Sequence, residues 1–169
     1  MSGPEERSVP EDRLISPFKT AQAHYADAFC LEFAGEADLA AFITAFYTTW
    51  LFKLERIVLR VFARTASSDA QAQALGQGDT DTFAVWRVEG RAPTEILLGE
   101  RSGRTKSWLA VEPEGDITRL WFGSIVVPVE RKGKPTLGPV FDSLLGAHKV
   151  YSRLLLMAAA AKLTRRKDR

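Results

Sequence analysis

Asparagine is missing from all 169 residues, so no N-glycosylation acceptor exists, and cysteine occurs once, as Cys30. A lone thiol closes no intramolecular disulfide and builds no thiolate metal cluster, and it points to a reducing compartment. Histidine is almost as scarce: only His24 and His148 could offer imidazole to a metal, and no acidic run adjoins either in the chain. The formal net charge of +2 is too small to argue for nucleic acid or an anionic membrane as partner. Glycine spacings of the Walker or Rossmann kind are absent, as is a G-x-S-x-G elbow, so neither a metal nor another cofactor is called for.

Long apolar runs are lacking too. The uncharged run Leu39–Phe52 stops at Lys53, short of the roughly 20 apolar residues that a bilayer span needs. The stretch "LLLMAAAA" (154–161) is shorter still. At the N-terminus, "MSGPEERSVPEDRLISP" has acids and prolines where a signal peptide needs a basic start and an apolar run. The expected setting is therefore the cytoplasm, with no membrane span.

What is present suits a globular protein: 46% hydrophobic and 26% charged residues in a length that fits one domain. Residues 1–17, with prolines at 4, 10 and 17, read as a flexible lead. Residues 18–163 read as a single α+β domain, and 164–169, within "KLTRRKDR" (162–169), as a basic tail. In "DAFCLEF" (27–33), Phe29, Leu31 and Phe33 alternate onto one face, the period of a strand. From Ala37 to about Phe62 the period becomes helical: Leu39, Ile43, Phe46, Tyr47, Trp50, Leu54, Ile57, Val58 and Val61 form one stripe. Phe42, Phe52 and Leu59 lie off it, so either the helix breaks into two pieces or these three meet another surface.

The polar stretch 64–81 reads as a long loop. Four strand candidates follow, at 82–89, 94–101, 105–112 and 118–130, joined by "GRAP", "SGR" and "PEGDI". Links this short force antiparallel neighbours, hence a meander. Trp108 and Ala110 oppose Leu109 and Val111, so part of the sheet's outer face needs a cover as well. A last helix runs from about Asp142 to Leu163, with Leu144, Ala147, Val150, Tyr151, Leu154, Leu155, Ala158 and Ala161 as its apolar face and Lys149 and Arg153 outward.

This order of strand, long helix, antiparallel meander and long C-terminal helix resembles the helix-grip domain of START-type lipid-transfer and birch-pollen-allergen-like (SRPBCC) proteins. More narrowly, "LLGER", "TKSWLAVEP" and "LLGAHKVYSRLLL" look like a bacterial family of small domains of unknown function. The resemblance covers roughly residues 27–163. It implies a curved sheet around the terminal helix, with an apolar cavity between them that binds an apolar or amphipathic small molecule.

Two sets of residues suit such a cavity. His148 and Tyr151, three apart on a helix, are neighbours, and could exchange a proton and donate a hydrogen bond; a boundary histidine and a core tyrosine are the plainer alternative. Trp50, Trp86, Trp108 and Trp121, with Tyr47, could line a pocket or simply fill the core. Arg101, Arg104 and Lys106 gather at a hairpin that suits an anion or, more plainly, solvent. Cys30 falls in an apolar pattern, as an inert thiol does. Three functions follow: ligand binding through the tryptophans, His148 and Tyr151; a cyclase- or dehydratase-like enzyme using His148 and Tyr151; or an interaction and homodimerisation module using Phe42, Phe52 and Leu59.

Overall fold

The computed structural model describes residues 3–19, 24–53, 67–131, 134–136 and 139–167. Among them a seven-stranded antiparallel sheet runs in the order β1 (Glu5–Arg7), β2 (Tyr25–Ala34), β7 (Ile117–Val126), β6 (Thr105–Glu114), β5 (Glu95–Glu100), β4 (Trp86–Ala92), β3 (Thr82–Phe83). Its helices are α1 (Ser16–Lys19), α2 (Leu39–Tyr47), α3 (Asp69–Gln77) and α4 (Pro139–Lys167), and β8 (Val129–Arg131) and β9 (Lys134–Thr136) form a separate hairpin. This is the expected α+β, helix-grip-like layout: an antiparallel meander packed on a long C-terminal helix. No described helix is long and apolar enough to cross a membrane.

Alternation along the strands divides the molecule into two cores. Phe29, Leu31, Phe33, Ile96, Leu98, Leu109, Val111, Leu120 and Phe122 face inward, against α2, α3 and the distal half of α4. On the outer face Ala28, Leu97, Trp108, Ala110 and Ile125 meet Val9, Leu14, Ile15 and Phe18. The cover that Trp108 and Ala110 demanded is thus the N-terminal segment, which corrects the expectation of a flexible lead over 1–17. Ile15 is fully buried, and β1 pairs with β2. Glycine makes this approach possible: a Cβ on Gly123 would lie 2.5 Å from the Ile15 side chain.

The helix expected from Ala37 to Phe62 breaks within its described part. Asp38 caps its start, accepting from the Ala41 amide. It ends at Tyr47, where the Thr48 and Thr49 hydroxyls donate back to the carbonyls of Thr44 and Phe46. Thr49 Oγ1 then accepts from the Phe52 amide, an N-cap for a new helical turn at 50–53. The reset turns Phe52 into the core and Trp50 out to solvent, at 68% exposure. Leu54, Ile57, Val58, Leu59 and Val61 lie outside the described residues.

The expected long loop at 64–81 is also corrected. Residues 69–77 form α3, started by a capping box in which Ser68 and Gln71 satisfy each other's amides. In α4 the buried face is Ser152, Leu155, Leu156, Ala159, Ala160 and Leu163, one step round from the expected stripe, so Ala147, Val150, Leu154 and Ala161 are exposed. Arg153, expected outward, lies over the Phe29 ring and 3.8 Å from Glu6, while Lys149 pairs with Glu6 at 2.7 Å. Further along, Lys162 donates to the Thr48 carbonyl and tethers α4 to the end of α2. The helix continues through Lys167, so most of the segment expected as a tail is helical.

Candidate functional site

The inner face of β6 and β7 changes character along its length. At one end Leu109, Val111, Leu120 and Phe122 fill the space beneath α2 and the distal half of α4. At the other the inward positions are Thr105, Ser107, Ser124 and Val126, with Ser107 directly opposite Ser124 and Thr105 opposite Val126 in register. Small hydroxylated side chains cannot reach the helix above, and the unfilled volume remains as a cavity. It measures about 520 Å³. Phe46, Phe52, Trp86, Phe122 and Leu155 supply apolar wall, and Leu145, Ala147, His148 and Tyr151 of α4 form the roof. The floor is polar: the Tyr47 hydroxyl and Ser107 Oγ are 3.2 Å apart, within hydrogen-bond distance.

A second polar group stands at the β2 side. Asp27 shares the inward face of β2 with Phe29, and its side chain is 2% exposed. Its carboxylate accepts from the Tyr25 hydroxyl at 2.7 Å and from the Ser124 amide at 3.1 Å. His148 Nε2 lies 3.4 Å from the remaining reach of Oδ2, and the imidazole meets the Tyr25 ring edge-on. That nitrogen is buried and makes no hydrogen bond of good geometry. Burial, with donation to Asp27, pushes the Tyr25 phenol far above the ordinary range.

The structure brings only some of the anticipated residues to this site. Trp86, His148 and Tyr151 line the cavity. Trp50 is exposed and outside the lining. Trp108 is fully buried on the opposite face, where its Nε1 donates to Glu95 at 2.7 Å. Trp121 also faces outward, donates to Glu112 and borders a groove of about 260 Å³ with Glu5, Arg7, Cys30, Glu32 and Arg119. Burial pushes the Cys30 thiol there up to about 11, which suits an inert thiol. Of the hairpin cations, Lys106 is held by both carboxylate oxygens of Glu89 at 2.6 and 2.7 Å. Phe42 and Phe52, expected as an exposed patch, are buried.

Asp27, Ser107 and Ser124 were missed as site residues. Their signal was available in the alternation, since Asp27 occupies the inward phase of Phe29, Leu31 and Phe33. A carboxylate in that phase needs partners.

No family model matches the chain, and no curated protein matches it. The similarity to a bacterial domain family therefore rests on the quoted stretches alone. Among solved structures, the crystal structure of Ara h 8.0201 is similar at a TM-score of 0.39 and 10% identity, covering 83% of this chain and 99% of that chain. A likeness that distant leaves the fold to be read from the strand order and helix packing themselves.

Proposed function

We propose that the protein binds an apolar or amphipathic small molecule between the inner face of the sheet and α4, without a cofactor. The carrying observation is the cavity of about 520 Å³, a size at which small-molecule sites are found, with aromatic walls and a hydroxyl-bearing floor. The walls supply apolar area; Ser107, Ser124 and Tyr47 supply orientation. The lone buried thiol fits a reducing, cytoplasmic setting, and a bacterial origin belongs to the same proposal. Titrating tryptophan emission with fatty alcohols, sterols and aromatic compounds tests it. A saturable shift that disappears in Trp86→Phe is expected, and no response to any class, in emission or in calorimetry, overturns it.

One observation favours a second reading, an enzyme using His148 as acid or base and Tyr151 as hydrogen-bond donor. Asp27 stands 3.4 Å from the His148 ring, and a carboxylate beside an imidazole is what orients it.

A further inference from the structure

We infer that the cavity discriminates by the sign of charge: through the buried Asp27 carboxylate it takes apolar molecules with a neutral or cationic head and turns away the carboxylate of the same skeleton. The inference rests on the binding reading above and narrows its ligand class.

Asp27 is deep behind the polar end of the cavity, touching two lining residues, Ser124 through its amide and His148 through its ring. A carboxylate 2% exposed is hardly screened by water, so its field reaches a bound head group through material of low dielectric. Cations near the site are spent or turned away. Lys106 contributes to the cavity lining, but its side chain belongs to the outward phase of β6, where its ammonium is gripped by Glu89 and sits over the Phe18 ring. Lys149 and Arg153 meet Glu6 at the β1 edge, with side chains 33% and 43% exposed; the Arg153 guanidinium also lies over the Phe29 ring, and neither residue lines the cavity. The floor offers a head group hydroxyls rather than charge. Among the described residues, then, no lysine or arginine head group is aimed into the cavity to receive an anion, and the Asp27 carboxylate, with the His148 ring beside it, backs its polar end.

The test compares 1-decanol, decanoate and decylammonium by calorimetry and tryptophan emission at about pH 8, where decanoate and decylammonium are both ionised. An ordinary apolar cavity penalises both ions alike. Here decylammonium is expected to bind at least about tenfold more tightly than decanoate, with 1-decanol also ahead of decanoate. In Asp27→Asn that gap between the two ions is expected to close. Decanoate binding as tightly as decylammonium in the unaltered protein overturns the inference, as does a gap that persists in a folded Asp27→Asn. Failure of all three probes to bind overturns instead the binding reading on which it stands. The comparison on the unaltered protein decides the charge preference even if the variant does not fold.

Discussion

Glu95 shows how one side chain holds two layers together. It opens β5 on the outer face, is buried, and one of its oxygens accepts from both Trp108 Nε1 at 2.7 Å and the Leu14 amide at 2.9 Å. The N-terminal cover and the largest buried side chain of the outer core thus share one acceptor. Glu95→Ala leaves two donors without it and is expected to cost roughly 2–3 kcal/mol, read as a lower urea midpoint, whereas Glu95→Gln keeps an oxygen in place and loses less. Equal losses in the two variants would show that packing, not the shared acceptor, ties the cover down. The same logic explains why the tryptophans misled as a set. Composition reports aromatic mass, but the phase of each residue decides which face receives it: Trp86 falls inward, Trp108 and Trp121 outward. Trp50 follows the capping at Thr49, which no periodicity over 37–62 reveals. His148 and Tyr151 were legible because they lie on one uninterrupted helix. Alternation marks Asp27 as an inward carboxylate that needs partners, but its pairing with His148 spans most of the chain, so no local pattern says which partner it meets.

At the scale of elements, strands were the most legible. Turn compositions delimit them, and a two-residue period survives in 27–33 and 105–112. Helix α3 was not, because "DAQAQALGQ" buries only Ala72, Leu75 and Gly76, too little apolar mass to show a stripe. Its small face has a purpose in packing. A Cβ on Gly76 would stand 2.7 Å from the Ala40 carbonyl oxygen and 2.9 Å from Thr44 Oγ1, so α2 and α3 touch backbone to backbone. Helix propensity alone says Gly76→Ala should stabilise by roughly 0.5–1 kcal/mol. The packing says the reverse: the substitution is expected to cost about 1–3 kcal/mol, since a backbone oxygen cannot turn aside. Urea denaturation of Gly76→Ala decides the sign, and a stabilised variant would mean that the helices can part cheaply. The face of α4 was misplaced by one step for a related reason. Over 154–161 the helix is apolar all round, so spacing alone leaves its rotation open. Ionic anchors at Glu6 and the Thr48 contact from Lys162 fix it.

For the molecule as a whole, strand β2 is the element that both covers share, with Tyr25 and Asp27 on its inner face beneath α4 and Cys30 on its outer face beside β1. Both protonated groups are held more tightly by the folded chain than by the unfolded one. Burial raises Cys30 from an ordinary 9.0 to about 11, and burial with donation to Asp27 raises Tyr25 well above its ordinary 10.0. The unfolded chain therefore releases these protons first as pH rises. The stability they represent is complete below about pH 9, declines through the thiol window between about 9 and 11, and declines further above 10 as the unfolded phenol ionises. Urea midpoints measured across that range should fall with rising pH in the unaltered protein. In Cys30→Ala the fall between 9 and 11 should be shallower, and in Tyr25→Phe the fall above 10 should be shallower, even though loss of the hydroxyl lowers the midpoint at neutral pH. Slope, not absolute stability, is the readout, because the lost hydrogen bond to Asp27 shifts the whole Tyr25→Phe curve without tilting it. If the slopes of both variants match that of the unaltered protein, neither face of β2 holds its proton against solvent. If only the Cys30→Ala slope changes, the inner face under α4 is already open to hydroxide at these pH values, and the helix does not grip the sheet as tightly as its anchors imply.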